Sequence, residues 1–249
     1  MRFLAAGDTA FTVELSEVGS AGVSGAVLEL YLRIVDAGLP GIIEVVPAIR
    51  SLTVHYEPNI ACAADLHCLI RPLVRDALQG TTLDDDGEID PVPALRRWLV
   101  PACYDAEVAV DVDAIAAAGG LAPWQVAALH ACVSYRVVMV GFLPGQPYLG
   151  SLPPPLRLPR RQTPRTAVSA GSIAIAGAMC SIYPFQSPGG WHVIGRTPVR
   201  WFDPGRDEPA LLAPGDEVRF RPIGMAELEA LTEDTARGRW RLEPEKAAA

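Results

Sequence analysis

From Tyr135 onward, glycine or proline interrupts every gap between short runs of β-forming residues: Val137 to Val140, Ser172 to Ala176, Trp191 to Ile194, Val199 to Phe202 and Val218 to Phe220. Proline fixes φ and lacks a backbone donor, and glycine accepts turn geometries closed to other residues. A chain so punctuated can form only short strands joined by turns, which predicts a small β-barrel or sandwich. Within it, Pro144 to Pro164 packs seven prolines into 21 residues. That segment reads as a rigid, mostly non-helical loop, the kind of place where a barrel carries function.

Upstream the pattern changes. A strand is expected near Trp98 to Tyr104, then a helix over Val112 to Ala118 stopped by Gly119-Gly120, then a helix with Pro123 in its first turn running to about Ala131. Earlier still, Phe11 to Leu15 alternate as a half-buried strand does. From Ser24, the residues Val27, Leu28, Tyr31, Ile34 and Val35 recur at helical spacing before Gly38 and Pro40. Ile42 to Val46 and Ser51 to Glu57 read as strands around Pro47. Leu66, Leu69, Ile70 and Leu73 form a second helical stripe, which Pro72 should kink or shift. Strand, helix, strand, strand, helix is the order of a split βαβ, ferredoxin-like α/β unit. The expected class is α+β. An N-terminal domain spans 1–80, an acidic, proline-bearing linker with Asp84, Asp85, Asp86, Glu88 and Asp90 spans 81–93, a β-barrel domain spans 94–224, and a C-terminal tail spans 225–249.

Charge narrows the function classes. Lys plus Arg is 21 against 29 Asp plus Glu, a net charge of −8. This balance argues against a nucleic-acid binder, which needs a cationic face. Lys246 is the sole lysine and the other basic residues are arginines, so no phosphate-loop lysine, Schiff-base lysine or internal biotin-acceptor lysine is available. The five cysteines form no CxxC pair and the four histidines no HExxH, so neither a disulfide scaffold nor a metal site is expected. The pattern fits a reducing cytoplasm. The most apolar stretch, Leu121 to Leu143, contains Gln125, His130 and Arg136, so no membrane association is expected.

Four constellations carry possible chemistry. Gly141 to Gly150 combines glycines that allow a ligand close to the backbone with prolines that fix the loop, although spacing alone favours a barrel corner. Arg157, Arg160, Arg161 and Arg165 put four cations within nine residues, either a carboxylate or phosphate clamp or a solvated loop face. In Gly171 to Pro184, Cys180 is a nucleophile or simply a buried thiol. In Ser187 to Pro198, Gly189-Gly190 presents backbone donors beside Arg196 and Thr197, or else marks a hairpin with a structural tryptophan. His130 precedes the first constellation and is either a general base or a helix-end histidine satisfied by carbonyls.

Together with Val100-Pro101-Ala102-Cys103-Tyr104, Ile49 to Val54 and Pro214 to Ile223, these segments resemble the family of the 5-oxoprolinase B subunit, also called allophanate hydrolase subunit 1 or Kip-type histidine-kinase inhibitor. The resemblance implies a cyclophilin-like barrel and an obligate partner, the C subunit of the same complex. It also implies ATP-dependent activation of a small lactam or amide, 5-oxoproline, with a third protein, the A subunit, completing hydrolysis. ATP would be shared with the partner. Related chains move CO2 from biotin to urea, which here would need a biotin carried elsewhere, and others restrain a histidine kinase. Carried onto this sequence, Arg165 and Arg196 stabilise developing charge, with His130 as an acid/base. Tyr135, Tyr148, Tyr183, Gly189, Gly190 and Thr197 bind substrate. Two departures stand out: Gln146 replaces the aromatic of PGFPYLG, and Met179-Cys180-Ser181 replaces the Gln-Thr-Gly of GxQTGIYP, removing an amide and a hydroxyl from the expected pocket.

Overall fold

The computed structural model describes residues 1–79 and 95–245, so the expected linker and Lys246 lie outside the described residues. The chain divides into two compact units, Met1–Pro93 and Ala94–Ala249.

In the first unit, strands β1 (Arg2–Ala5) and β2 (Ala10–Glu14) precede helix α1 (Ala21–Ala37). Strands β3 (Ile42–Pro47) and β4 (Ser51–Tyr56) and helix α2 (Ala63–Leu78) follow. The sheet order β1-β2-β4-β3 is antiparallel throughout and places β4 between β2 and β3, the split βαβ arrangement that the sequence predicts. β1 is unanticipated; it is a short, mostly exposed edge whose four residues are too few to show a period. Ser20 caps α1 by accepting from the Val23 N–H, and Gly38 ends it at φ 53°. Pro72 does not shift α2, which runs through it. The proline is exposed, so water can reach the carbonyl it leaves unpaired, while Leu66, Ile70, Val74 and Ala77 bury one face against Phe11, Val13, Leu52 and Val54.

The second unit begins with β5 (Arg97–Cys103), helix α3 (Val112–Gly119) and helix α4 (Pro123–Ala131). After them come β6 (Tyr135–Val140), β7 (Pro147–Leu149), β8 (Arg165–Val168), β9 (Ser172–Ala176), β10 (Met179–Ile182), β11 (Ser187–Gly189), β12 (His192–Arg196) and β13 (Glu217–Ile223). Seven of these close a barrel in the order β10-β7-β6-β13-β5-β12-β9, and β11 pairs with β8 as a separate ribbon. Alternation sends Val100, Tyr135, Val137, Leu149, Ile173, Ile175, Ile182, Ile194 and Val218 into one core. Ile115 and Val126 of the two helices pack on the same core. Buried Asp216 fastens β13 to β5: it accepts from Arg96 Nε at 3.2 Å and Nη2 at 3.0 Å, Trp98 Nε1 at 3.0 Å and the Ala213 N–H at 3.0 Å.

Two expectations are corrected. Val199 to Phe202 is not a strand: it lies between Pro198 and Pro204, buries Val199 and Trp201, and makes only an isolated bridge from Phe202 to Ala210. Part of the expected C-terminal tail is helix α5 (Met225–Ala236), whose Leu228 packs with Cys103, Val108 and Ile223. Among the described residues no single helix is long and apolar enough to cross a membrane.

Candidate functional site

The barrel has a second, smaller apolar layer on its outside. On β9 and β12 the alternate residues Ala174, Ala176 and Val193 face away from the core and join Val168, Tyr183 and Trp191, with Tyr148 and Met179 partly buried at the edge. The β8–β11 ribbon and the proline-rich loop build up this side. His192 Nε2 donates to Pro159 O at 3.0 Å, and the Arg161 N–H donates to Gly190 O at 2.8 Å, tying the loop to the two residues that flank Trp191.

Asp111 organises the charge here. It directly precedes α3, is 5% exposed, and its N–H donates to Val193 O at 3.0 Å. Its carboxylate accepts from both terminal nitrogens of Arg165 at 2.8 and 2.7 Å, from Arg161 at 2.9 Å and from the Val193 N–H at 2.7 Å. Burial alone would raise this carboxyl, but the Arg165 and Val193 hydrogen bonds and the two guanidinium charges outweigh it and hold it below its ordinary value. The same pairing raises Arg165.

The arginine-rich loop therefore divides its labour. Arg157 props the loop by donating to Leu152 O, and Arg161 and Arg165 answer Asp111. Arg160 lies 5.8 Å above the Trp191 ring, with no carboxylate at ion-pair distance among the described residues. Tyr148 meets Trp191 edge to face at 5.6 Å. Burial pushes the Tyr148 and Tyr183 phenols up while Arg160 pulls both back, so two neutral hydroxyls and one unclaimed cation share a neighbourhood. A Cβ at Gly189 would overlap the Tyr183 hydroxyl and come 2.8 Å from its Cζ, so only glycine lets the ribbon lie on that ring; at Gly190 the nearest atom would be an ordinary 3.6 Å away. The assembly can hold an anion or a polarised carbonyl against an aromatic floor.

Three expected site residues belong to the core instead. His130 is fully buried, with Tyr104 Oη 2.8 Å from Nδ1 and Cys180 Sγ 3.3 Å from Nε2. A neutral ring that accepts at Nδ1 and donates at Nε2 satisfies both, and burial lowers its pKa to about 3. Enclosed by the core with both ring nitrogens already taken by Tyr104 and Cys180, it offers no nitrogen for acid/base work. Tyr135 is also fully buried and donates to His130 O at 3.0 Å. Thr197 is buried and its hydroxyl accepts from the Val199 N–H. Arg196 sits at the end of β12 opposite Ser172, its Nε buried without a partner. No contact joins it to the aromatic cluster among the described residues.

The departures from the family pattern also sort by position. Gln146 and Ser181 touch: Gln146 Nε2 donates to Ser181 Oγ at 2.9 Å, and that hydroxyl donates to Pro147 O at 2.9 Å. A polar side chain in place of an aromatic thus meets a hydroxyl in place of a glycine, which satisfies the Gln146 amide N–H while its Oε1 stays buried without a partner. Cys180 faces the barrel core, so the expected loss of a hydroxyl from the pocket does not reach the outer cluster; Met179 does sit at its edge. Asp111 is the residue that sequence reasoning missed. Its signal is an acid just before a helix in a chain whose proline-rich loop carries unmatched arginines.

The family model described as "Carboxyltransferase domain, subdomain C and D" matches residues 1–212. The chain is 39% identical over 216 residues to the 5-oxoprolinase B subunit of Escherichia coli O157:H7, covering 87% of this chain and 93% of that protein. It is 33% identical over 234 residues to the 5-oxoprolinase B subunit of Bacillus subtilis (strain 168), covering 92% and 95%. In fold it is similar to the crystal structure of the K. lactis urea amidolyase, with a TM-score of 0.74 at 22% identity over 98% of this chain and 16% of that one.

Proposed function

Because the chain belongs to the carboxyltransferase-domain family, subdomains C and D, we propose that it is the B subunit of a 5-oxoprolinase-type complex that activates a lactam carbonyl for hydrolysis. The names of its Escherichia coli and Bacillus subtilis relatives support its place in such a complex. The observation that carries the chemistry is Arg160, a cation with no carboxylate at ion-pair distance among the described residues, over the Trp191 ring that Tyr148 meets edge to face on the outer side of the barrel.

Opening a lactam develops negative charge on the carbonyl oxygen, and preorganised donors lower that barrier. In this reading Arg160 takes the substrate carboxylate, the Tyr148 hydroxyl addresses the carbonyl, Trp191 supports the ring, and the buried Tyr183 backs the ribbon. Arg165 acts one step back, holding Asp111 and through it the Trp191–Val193 backbone. The cluster does not fit a triphosphate by itself: two of its three guanidiniums are already paired with the buried Asp111 carboxylate, only Arg160 is unclaimed, and no lysine lies among the described residues. We therefore assign the nucleotide phosphates to the partner C subunit, with no phosphoryl step routed through this chain. The A subunit would complete the hydrolysis. The cytoplasm suits this reading, since ATP is present there and the five free thiols persist.

The test is ATP-dependent 5-oxoproline turnover by the complex reconstituted with the C and A subunits. Arg160→Ala and Tyr148→Phe should each lower kcat/KM by about tenfold or more. Wild-type kinetics in both variants would remove the outer cluster as the site, and no turnover with all three proteins present would remove 5-oxoproline as the substrate. The family's description as a carboxyltransferase domain favours a second reading, carboxyl transfer from a biotinylated partner. Biotin-dependent carboxylation of urea by the same complex, without lactam opening, would select it. A purely regulatory role gains less support, because Gln146 and Ser181 are buried and bond to each other, leaving Arg160, Tyr148 and Trp191 in place.

A further inference from the structure

A cavity of about 410 Å3 opens on the second unit between the 199–211 segment and the C-terminal segment 235–244. It shares no lining residue with the aromatic cluster, and one of its walls lies beyond residues 1–212, the part the family model matches. Four arginines reach it. Arg96 is held by Asp216 and Glu208, Arg200 by Asp203 at 3.4 Å and Arg241 by Glu243. Arg206 differs: among the described residues it has no carboxylate at ion-pair distance, its Nη2 donates to Arg200 O at 2.9 Å, and its Nε is buried without a partner. Burial pushes its pKa down, Asp203 opposes this, and Arg200 and Arg241 push it down further. A guanidinium that is partly desolvated, short of a hydrogen bond and flanked by like charge gains most from an incoming anion.

The rest of the wall sets the class of anion. Trp98, Val199, Leu211, Trp240 and Leu242 are apolar, so part of the guest must be too. Asp203, Glu208 and Glu243 line the same cavity and would repel a multiply charged phosphate. We propose that this cavity binds a small organic carboxylate, its carboxylate on Arg206 and its apolar body against Trp240 and Leu211. The site is separate from the lactam chemistry and does not depend on it.

The full chain would be titrated with phenylacetate, followed by calorimetry and tryptophan fluorescence, with inorganic phosphate and ATP in parallel. Phenylacetate is used rather than 5-oxoproline so that this proposal and the lactam reading fail separately. Saturable phenylacetate binding is expected, weakened about tenfold by Arg206→Gln, since a charge-assisted hydrogen bond is lost, less by Arg206→Lys, and not at all by Arg160→Ala. If Arg206→Gln does not fold, Ala210→Trp, which fills the cavity from its wall, should abolish binding. Absence of saturation at millimolar phenylacetate, equal affinity in Arg206→Gln or Ala210→Trp, or tighter binding of phosphate or ATP would each overturn it.

Discussion

Asp111 decides how the arginines of the proline-rich loop behave, and its place just before a helix does not say which of them it claims, because its partner Arg165 is 54 residues away. Local pattern shows that a cation is present but not which carboxylate claims it, so Arg165 reads from the sequence as a free ligand contact. Arg165→Ala should destabilise the second unit by about 1–3 kcal/mol, less than a fully buried pair would lose because Asp111 keeps Arg161 and the Val193 N–H. Urea melts followed by fluorescence would measure it, since all five tryptophans lie in this unit. Activity lost in that variant mixes packing with binding, whereas Arg160→Ala touches no ion pair among the described residues. The pH dependence follows from two buried groups. The Asp111 carboxyl is depressed in the folded state, so its contribution is complete above about pH 4, where a free carboxylate titrates, and declines as pH falls through the folded value. His130 titrates near 3 when folded and near 6.5 when unfolded, so acid favours the unfolded chain from about pH 6.5 downward. The loss is on the order of 2 kcal/mol at pH 5 relative to neutrality. His130→Gln should flatten the stability difference between pH 7 and pH 5; an equally steep difference in that variant would assign the acid sensitivity elsewhere.

At the scale of elements, periodicity made the long pieces legible: α1, α2, β4, β5 and β9 each show several repeats of one spacing. β7, β8, β10 and β11 have three or four residues each, too few to establish an alternation, and β8 with β11 forms the ribbon that completes the candidate site. The site was therefore visible as motifs but not as a surface. Val199 to Phe202 misleads in the opposite direction, because β-forming residues there are buried for bulk and not for pairing. The ribbon gives a sharp contrast between neighbouring glycines. Gly189→Ala must displace Tyr183 or the ribbon itself, a strain of about 1–3 kcal/mol that should also depress lactam turnover, whereas Gly190→Ala meets only ordinary contact and should behave as wild type. Thermal melts and kcat/KM on both variants check this; equal behaviour would mean that the close approach of Gly189 to Tyr183 is not maintained in solution.

Across the whole molecule, the order of elements carried the fold class, since a split βαβ unit and a glycine- and proline-punctuated barrel each follow from local rules. Barrel closure did not, because it depends on β13 returning beside β5 in parallel register, Glu217 opposite Arg97 through Ile223 opposite Cys103. Asp216 fixes that return, and Asp216→Ala would strand the Trp98 indole N–H and the Ala213 N–H at once and leave the Arg96 guanidinium only Glu208. A loss of about 3–5 kcal/mol is expected, read as a lower denaturation midpoint in urea, and a variant as stable as wild type would show that the junction is held by strand pairing alone. The same junction sets a clock during synthesis. Arg96 leaves the ribosome 120 residues ahead of Asp216, so at ordinary elongation speeds β5 waits roughly 6 to 24 seconds for its neighbour. Until β13 emerges, β5 and β6 lack the strand that pairs with both, and this window is when a chaperone, or the same segment on an adjacent ribosome, would find their edges.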